Sequence, residues 1–392
     1  MDLRYLQRAC ENSRSGGRGG VGTYIANLWN ALVARGPDFS LRPLLTRRAP
    51  TPEFRTTMRG LDKTTPVTSP LIGHPALPAR LSFGKYAPLV RLVESELLLA
   101  RALYHQRVDI VHDPDQGLPP PGRFGKVVTV HDIPVWKDVG QRKLRQFYLR
   151  RTLRRADRLV CDSRSTAQDL LTFAPDVLNK ISVCPPGLDP RVFHPGPPDP
   201  DWALSRFHLS SPFFVHVGVC AGRKNPDGIL EAVRRVKEKW GNKFQLAFIG
   251  PYQVNQEALD YLAKKGRQLG VGAQLRLLGD VSTDELVKLY RTSAALVFPS
   301  LVEGFGYPAV EALACGTPCI VSSEGAVAEM VGDVGLRVNP RSADEIAAAM
   351  LAVLRGQAPD VRDTGPAVAA HFGTSKIADF FIDTYESLRR AR

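Results

Sequence analysis

The sequence has few cysteines and no long apolar run. Its 392 residues include 6 cysteines, no two of which form a CxxC pair, so neither a disulfide scaffold nor a zinc motif is indicated. A transmembrane helix needs about 20 consecutive apolar residues, whereas Leu97–Leu99 is flanked by Glu94, Glu96 and Arg101. The first residues also lack the apolar segment of a secretory signal. We therefore expect a reduced, cytoplasmic protein.

Negative charge is sparse in the first half of the chain. Residues 1–200 carry 30 Lys and Arg against 18 Asp and Glu, a net +12, whereas residues 201–392 carry 22 against 21, a net +1. This asymmetry indicates an anionic partner for the first half, such as a membrane surface or a phosphorylated lipid. Because no zinc finger, RNP-type aromatic motif or other nucleic-acid module accompanies the charge, we expect no nucleic acid partner.

The densest basic segment is residues 141–158, which contains eight Lys and Arg. Apolar residues recur within it at near-helical spacing. They are Leu144, Phe147, Tyr148, Leu149 and Leu153. Two interpretations stay open: a surface helix whose apolar stripe packs on the core, or a peripheral membrane helix that binds anionic lipid.

Short apolar runs alternate with helix-length amphipathic segments through most of the sequence. Unbroken apolar strands between helices are typical of parallel sheets covered on both faces. We therefore predict an α/β protein with two doubly wound, Rossmann-like domains. The predicted strands are 3–7, 108–112, 127–131, 158–162 and 181–185 in the first half, and 213–218, 245–250, 275–280, 294–299 and 318–323 in the second.

Proline marks the boundary between the two predicted domains. Residues 185–202 are rich in proline, which has no N–H and a fixed φ, so we predict an extended linker there. The domains are then 1–190 and 191–373, and residues 374–392 form one amphipathic helix. Ligands of open α/β sheets bind beyond the carboxyl ends of the strands, so we expect the chemistry in these loops, at a cleft between the domains.

A glycine-rich segment lies near the start, at residues 15–24. It fits GxGxxG, but residues 11–15 separate it from the first predicted strand, whereas a dinucleotide-binding glycine directly follows its strand. An NADP-binding loop and a purely structural turn both stay open. Backbone N–H groups at the start of the helix predicted over 23–35 would suit an anion such as a diphosphate.

Two further strand-end loops carry charged residues. Arg223 and Lys224 follow the predicted strand 213–218, and a guanidinium beside an ammonium can clamp a diphosphate. Glu303 and Glu311 are eight residues apart, an E-x7-E spacing.

Glycines and a proline lie between these glutamates. Gly304 and Gly306 bend the chain, and Pro308 fits the first position of a helix. A ligand over that helix would meet two carboxylates and several backbone N–H groups, which suit sugar hydroxyls and phosphate oxygens.

The segment EGFGYPAVEALACGTP, residues 303–318, resembles the E-x7-E signature of retaining glycosyltransferases of family 4, which adopt the two-Rossmann GT-B fold. Five shorter motifs follow the family's order through nearly the whole chain. They are GGVGTY at 19–24, VHD at 130–132, CDSRST at 161–166, PPGLD at 185–189 and GRKN at 222–225.

The resemblance implies an acceptor-binding domain at 1–190, a donor-binding domain at 191–373 and a closing helix, 374–392, that crosses back to the first domain. It implies that Arg223 and Lys224 neutralise the diphosphate. The implied donor-binding residues are Gly20, Gly22, Gly250, Val281, Gly304, Phe305, Gly306, Tyr307 and Glu311. Among these, Glu311 binds the ribose, Gly250 and Val281 lie near the nucleobase, and the 304–307 backbone holds the sugar together with Glu303.

The first domain supplies the remaining implied residues. His131 ends an apolar strand and, by the resemblance, lies at the sugar beside the reacting carbon. Thr23, Tyr24 and Asp132 are assigned to the acceptor.

Asp113 and Asp115 form a DxD pair, a motif that holds a divalent metal in other glycosyltransferases. Prolines surround the pair, and positive side chains are already available to stabilise a leaving group. We therefore expect neither a metal nor a cofactor.

The implied reaction is transfer of a hexose from a nucleotide sugar to a hydroxyl of a saccharide or lipid-linked saccharide in glycan or polysaccharide biosynthesis. The configuration at the anomeric carbon is retained, and the departing phosphate takes the proton of the acceptor hydroxyl. GDP-mannose is the favoured donor, with UDP- and dTDP-sugars left open. The alternatives are an NADP-dependent oxidoreductase and a non-catalytic nucleotide-sugar-binding partner of a membrane assembly. We expect a cytoplasmic protein with peripheral contact at the inner face of the membrane.

Overall fold

The computed structural model describes residue 1 and residues 19–45, 51–61, 66–68, 98–133, 142–220, 222–250 and 256–392. The chain divides into two compact units, Met1–Gly187 with Thr374–Arg392, and Leu188–Gly373. The domain boundary predicted after residue 190 lies three residues from this division. The first predicted strand, 3–7, lies outside the described residues.

The first unit begins with α1 (Gly20–Arg35), β1 (Leu44–Leu45), α2 (Pro52–Thr57), β2 (Val67–Thr68), α3 (Ala100–His105) and β3 (Ile110–Asp113). It continues with β4 (Gly125–Val130), α4 (Arg142–Arg155), β5 (Arg158–Cys161), α5 (Arg164–Phe173) and β6 (Ile181–Val183). Strands β3 to β6 form a parallel sheet in sequence order, and β1 pairs with β2 separately. Val128, Val130 and Leu159 of this sheet pack on Leu149 and Leu170 of α4 and α5.

The second unit contains α6 (Pro200–Phe207), β7 (Phe213–Val217), α7 (Pro226–Trp240), β8 (Gln245–Ile249), α8 (Gln256–Gln268), β9 (Leu275–Gly279) and α9 (Thr283–Thr292). It continues with β10 (Ala295–Phe298), α10 (Tyr307–Ala314), β11 (Cys319–Ser322), α11 (Gly325–Val331), β12 (Leu336–Val338), α12 (Ala343–Leu354) and α13 (Thr364–Ala369).

The strands of the second unit form one parallel six-stranded sheet in the order β12-β11-β10-β7-β8-β9. The chain enters at the central strand β7, moves outward to β9, and returns to β10 on the other side of β7. Strand order therefore reverses between β7 and β10. In doubly wound folds the crevice at such a reversal is where ligands bind.

Both faces of this sheet are covered. Phe214 packs with Ile229 and Val233 of α7 on one face, whereas Phe213 and Val215 belong to the cluster on the opposite face. Alternation along a strand sends successive side chains to opposite faces, which is why an unbroken apolar run suits a strand buried on both sides. The predicted fold class, two doubly wound α/β domains, is confirmed.

The last helix, α14 (Thr374–Arg390), belongs to the first unit and contacts α1, β3 and β4. Its Phe381 stacks on His112 of β3, with ring centroids 4.8 Å apart.

Two local predictions need correction. The segment 185–202 is not extended throughout, because the N–H groups of Val192 and Phe193 both bond to the Asp189 carbonyl and α6 begins at Pro200. The proline ring favours the first position of a helix. The glycine-rich segment is also shorter than predicted, because α1 begins at Gly20 rather than at residue 23.

The basic segment forms α4. Tyr148, Leu149 and Leu153 are buried, whereas Phe147 is 54% exposed, so most of the described apolar positions face the core. No helix among the described residues has both the length and the apolar character needed to cross a bilayer.

Candidate functional site

The loop after β7 carries Arg223 and Lys224. Asn225 follows them with a φ of 62°, and its side chain caps α7 by accepting the Gly228 N–H at 3.2 Å. Its Nδ2 donates to the Pro299 carbonyl at 3.1 Å. Asn225 therefore fixes this loop against the loop that follows β10.

Glu303, in the loop after β10, joins both cations. Lys224 Nζ lies 2.6 Å from Glu303 Oε1, and Arg223 Nη1 lies 2.8 Å from Oε2. The Glu303 side chain is 8% exposed and that of Arg223 is 46% exposed. Burial would raise the pKa of Glu303, but the charges of Lys224 and Arg223 hold it below its usual range. Glu303 is therefore an ionised carboxylate between two cations.

Packing under Lys224 limits where its ammonium can move. The Lys224 side chain is 15% exposed, and Nζ lies 4.3 Å from the centroid of the Phe298 ring. A Cβ at Gly218 would lie 3.4 Å from Lys224 Cε. Burial lowers the pKa of Lys224, and the Glu303 charge opposes that shift.

This cluster of Arg223, Lys224 and Glu303 lies at the strand-order reversal of the sheet, because β7 and β10 are adjacent and parallel. The cations can bind an anionic group, and each carboxylate oxygen has lone pairs left to accept hydrogen bonds from hydroxyl groups. The structure thus brings the two cations that the sequence predicted as a diphosphate clamp together with Glu303, which the sequence analysis assigned to a separate motif.

The turn before α10 depends on glycine. Gly306 has a φ of 92°, and a Cβ there would lie 2.7 Å from Val327 Cγ2. Phe305 and Tyr307 are buried with their rings packed edge to face, so the turn presents backbone rather than aromatic side chains. The helix begins at Tyr307, which makes Pro308 its second residue and not its first as predicted.

Glu311 lies inside α10 and points toward α9. Its Oε2 accepts a hydrogen bond from the Tyr290 hydroxyl at 2.9 Å, and the residue is 7% exposed. Burial raises its pKa to about 7, which the Tyr290 hydrogen bond partly opposes. Its protonation therefore changes near neutral pH.

Gly250 and Val281 follow neighbouring strands of the same sheet. A Cβ at Gly250 would lie 2.9 Å from the Gly218 carbonyl carbon, so glycine at this position lets the ends of β8 and β7 approach each other. Val281 is half-buried and packs against the apolar cluster that includes Val287. Their predicted place near a nucleobase stays a prediction.

In the first unit, Gly20, Gly22 and Thr23 lie in the first turn of α1. The cap residue Gly19 offers no side-chain hydrogen bond, and the first turn holds no acidic residue. The first N–H groups of a helix have no partner within it. Gly20, the first helical residue, is exposed, so this end suits an anion electrostatically.

His131 directly follows β4 and is 8% exposed. Its Nδ1 lies 2.7 Å from Asp162 Oδ2, and its Nε2 lies 2.6 Å from the Pro114 carbonyl oxygen. Burial alone would lower the pKa of His131, but the Asp162 charge and hydrogen bond, with smaller contributions from Asp115 and the Pro114 carbonyl, raise it to about 9.

Tyr24 connects α1 to the same strand. It is 1% exposed, its hydroxyl lies 2.9 Å from Thr129 Oγ1, and its ring meets that of His131 edge to face at 4.8 Å. Thr129 Oγ1 also lies 2.9 Å from His112 Nε2. Asp132 is half-buried, and its carbonyl accepts from the Gln116 side chain.

The DxD pair is part of a turn. Asp113 Oδ1 accepts the N–H groups of Asp115 at 2.9 Å and Gly117 at 2.8 Å, and a Cβ at Gly117 would lie 1.8 Å from Asp113 Oδ2. The carboxylate of Asp113 therefore holds its own loop. Within the described part of the chain, no three His, Cys, Asp or Glu side chains form a group suited to a metal.

Family models match both units. One described as "Glycosyl transferases group 1" matches residues 205–367, and one described as "Glycosyltransferase Family 4" matches residues 18–192. The O-antigen chain mannosyltransferase B of Escherichia coli is 30% identical over 292 residues, which cover 70% of this chain and 74% of the relative. The chain belongs to the family 4 glycosyltransferases.

A further relative and two solved structures are also similar to this chain. The D-inositol 3-phosphate glycosyltransferase 1 of Catenulispora acidiphila is 31% identical over 244 residues, which cover 59% of this chain and only 57% of the relative's length. Among solved structures, the sucrose-phosphate synthase of Thermosynechococcus elongatus has a TM-score of 0.70 at 20% identity, covering 95% of this chain and 94% of that one. Anabaena HepE, solved with UDP and glucose, has a TM-score of 0.69 at 16% identity, covering 96% and 98%. These likenesses show the GT-B fold.

Two side chains near the predicted site residues were not identified from the sequence. Tyr290, which bonds Glu311, lies in the amphipathic helix α9 and had no signal. Asp162 was visible, because it directly follows a buried strand as His131 does, but its motif CDSRST received no role.

Proposed function

We propose that this glycosyltransferase moves a hexose from a nucleotide sugar to a hydroxyl of a saccharide or lipid-linked saccharide, with retention at the anomeric carbon. The observation that carries the proposal is the cluster of Arg223, Lys224 and Glu303 at the strand-order reversal of the donor-binding unit. A diphosphate and a sugar hydroxyl are the groups that two cations and a carboxylate bind best.

The reaction breaks the bond between the anomeric carbon and the diphosphate oxygen, and forms a bond from that carbon to the acceptor oxygen. Negative charge develops on the departing diphosphate, and the acceptor hydroxyl's proton passes to it. Cations already in place stabilise this charge without reorganising during the reaction. Arg223 and Lys224 fill this role, and no metal or other cofactor takes part in the proposed step.

In the proposed donor complex, Glu303 and the backbone of 304–307, including Gly304, Phe305, Gly306 and Tyr307, hold the sugar. Glu311 accepts hydrogen bonds from the ribose, and the N–H groups of Gly20 and Gly22 assist at the diphosphate. Gly250 and Val281 lie near the nucleobase.

The first unit supplies the proposed acceptor contacts. Thr23 and Asp132 are half-buried and contact the acceptor directly. His131 lies beside the reacting carbon, and Tyr24 acts through His131, whose ring it contacts.

GDP-mannose is the proposed donor ahead of UDP- and dTDP-sugars. Support comes from the O-antigen chain mannosyltransferase B, whose alignment covers about three quarters of that protein, 74%. A growing polysaccharide or a lipid-linked saccharide is the proposed acceptor class.

A donor panel tests this proposal directly. Thermal shift and hydrolysis are measured with GDP-mannose, GDP-glucose, UDP-glucose, UDP-galactose and dTDP-glucose, and the anomeric configuration of the product is read by proton NMR. We expect the donors of one nucleotide class to raise the Tm of the protein and to be cleaved, and we expect the sugar to be α-linked in the product. If a donor binds but no donor is turned over with any saccharide acceptor, the non-catalytic alternative is supported. A product with inverted anomeric configuration contradicts retention.

Two variants test the clamp. Arg223→Ala and Lys224→Ala should each lower kcat by roughly 100- to 1,000-fold, the range seen when one stabilising donor is removed from a developing negative charge. Arg235→Ala is the matched control, because Arg235 is an ion-paired arginine on α7 outside the cluster. Near-normal turnover in both clamp variants rejects the assignment.

We also propose peripheral contact of α4 with an anionic membrane at the cytoplasmic face. Phe147 is 54% exposed, and Arg150 and Arg154 are exposed on the same helix. Binding to vesicles with 30% anionic lipid should exceed binding to neutral vesicles and should fall in Phe147→Ala. The control is Tyr104→Ala, which removes a 77% exposed aromatic side chain elsewhere. Equal binding to both kinds of vesicle refutes the contact.

A further inference from the structure

The motif CDSRST at 161–166 builds the end of β5 and the start of α5. Ser163 caps α5 by accepting the Thr166 N–H at 3.0 Å, and Thr166 Oγ1 donates to the His131 carbonyl at 3.3 Å. Strands β4 and β5 are adjacent and parallel, with Val130 paired to Cys161. The next residue on each strand is His131 and Asp162, so the register itself brings these two side chains to one place.

The hydrogen-bond partners of His131 determine where its protons are. A peptide carbonyl can only accept, so Nε2 donates to the Pro114 oxygen at 2.6 Å. Nδ1 faces a second oxygen, Oδ2 of Asp162, at 2.7 Å. With the carboxylate ionised, both ring nitrogens must carry protons.

Asp162 is held at an energetic cost. The residue is 3% exposed, and within the described part of the chain its Oδ1 accepts no hydrogen bond. A buried carboxylate oxygen without a partner destabilises a fold. An apolar residue at this strand end would avoid that penalty, so the carboxylate indicates a role at His131.

We propose that Asp162 is a positioning residue that holds His131 as an imidazolium with both N–H groups engaged. The two charges compensate each other within the buried pair, and Tyr24 packs edge to face on the imidazolium ring. Residue 131 is thereby fixed at three points: its two ring nitrogens and its carbonyl.

The catalytic consequence rests on the proposed function. An imidazolium whose two N–H groups both donate has no lone pair, so His131 cannot accept the proton that the acceptor hydroxyl loses. When the bond from the anomeric carbon to the diphosphate breaks and the bond to the acceptor oxygen forms, that proton passes to the departing diphosphate oxygen. His131 then contributes fixed shape and fixed charge rather than base catalysis.

Three groups that face His131 favour its protonated state, although burial raises the pKa of Asp162 against the opposing charge and hydrogen bond of His131. Asp162 at the end of β5 and Asp115 in the loop after β3 both favour the cation, as does the Pro114 carbonyl. The other titratable groups around the pair are Asp132, Tyr24 and His112. Burial and the pair of carboxylates oppose each other, and the pKa of His131 is raised to about 9.

Nitrogen-15 NMR of the full chain labelled at histidine tests the proposal without any substrate. The chain has 8 histidines, and the signals missing from His131→Gln assign the residue. At pH 7.5 we expect both ring nitrogens of His131 at protonated shifts. In Asp162→Asn, which keeps a side chain able to hydrogen-bond Nδ1, we expect one nitrogen to become unprotonated. An unprotonated ring nitrogen in the unmodified protein overturns the proposal.

Kinetics separate positioning from folding. Asp162→Asn should lower kcat by roughly 10- to 100-fold, the effect expected of a misplaced reacting group, while the KM for the donor changes by less than about threefold. Its kcat should rise as pH falls from 8 to 6, because His131 regains its proton. The control is Asp169→Asn, which removes a half-buried carboxylate from α5, the helix that follows Asp162. An unchanged kcat and pH profile in a folded Asp162→Asn overturns the positioning role. Absence of transfer in the unmodified protein instead overturns the proposed function. It leaves the NMR test of the His131 protonation state intact, because that test does not require activity.

Discussion

Replacing Glu311 with glutamine removes an ionisable group and keeps the shape of the side chain. Glutamine still offers an oxygen to the Tyr290 hydroxyl, which donates to Glu311 Oε2 at 2.9 Å. The variant therefore isolates the free energy of ionising a carboxyl inside the second unit. Burial is the largest contribution to its shifted pKa, and the tyrosine hydrogen bond opposes it.

The sign follows from proton binding. The pKa of Glu311 rises from 4.5 to about 7 on folding, so between these values the folded protein holds a proton that the unfolded chain has lost. The unmodified protein therefore loses stability relative to Glu311→Gln as pH rises through this range. At ~1.4 kcal/mol per pKa unit, the loss is roughly 3 kcal/mol. For a unit of this size that corresponds to a difference in Tm of about 6–12 °C.

Differential scanning calorimetry of both proteins from pH 4.5 to pH 8.5 measures the effect. We expect the Tm of Glu311→Gln to exceed that of the unmodified protein increasingly from pH 5 to pH 7.5 and then by a constant amount. Glu238→Gln, at an exposed glutamate on α7, is the control and should follow the unmodified protein at every pH. A difference in Tm that does not change with pH refutes the reasoning, because burial would then not govern the ionisation of Glu311.

The other predictions concern backbone and buried polar contacts. Gly306→Ala should destabilise the protein by roughly 1–3 kcal/mol, because alanine is strained at positive φ and its Cβ would meet Val327; urea unfolding measures it. Asn225→Ala should lower the free energy of unfolding by roughly 1–2 kcal/mol and weaken donor binding. Asn225→Gly also loses the cap but tolerates the left-handed backbone, so its free energy of unfolding should fall less. Equal decreases in the two variants contradict a contribution from the backbone conformation. Thr129→Val should lower the free energy of unfolding by roughly 2–4 kcal/mol in the same assay, because it removes the hydrogen-bond partner of the buried Tyr24 hydroxyl and of His112 Nε2.

The strands were predictable because their signal is local. Each predicted strand from 108–112 onward overlaps an observed strand, since strands buried on both faces are predominantly apolar runs. β1, β2 and β12, which have two or three residues each, were not predicted. The start of α1 was placed three residues late, because glycine has a low intrinsic helix propensity and Gly20 and Gly22 suggested a loop.

The charged cluster was predictable for a topological reason. Arg223 and Glu303 follow strands that are far apart in sequence but adjacent in the sheet. In the strand order of the dinucleotide-binding fold, which this unit has, the first and fourth strands lie side by side, which brings their loops together. The burial of Glu311 and its hydrogen bond to Tyr290 were not predictable in this way. Its environment depends on the packing of α9 against α10, and helix faces fix such contacts only after the core is assembled.

The same topological reasoning extends to the residue that was overlooked. Strands β3, β4 and β5 are parallel neighbours, and polar residues stand at the end of each: Asp113, His131 and Asp162. A polar side chain directly after a buried strand is positioned by the sheet rather than by its own loop, so neighbouring strand ends should be considered as a set. In that set Asp113 holds the loop that provides the Pro114 carbonyl, and Asp162 provides the opposing carboxylate. His131 is bonded from both sides because three consecutive strands end in the same place.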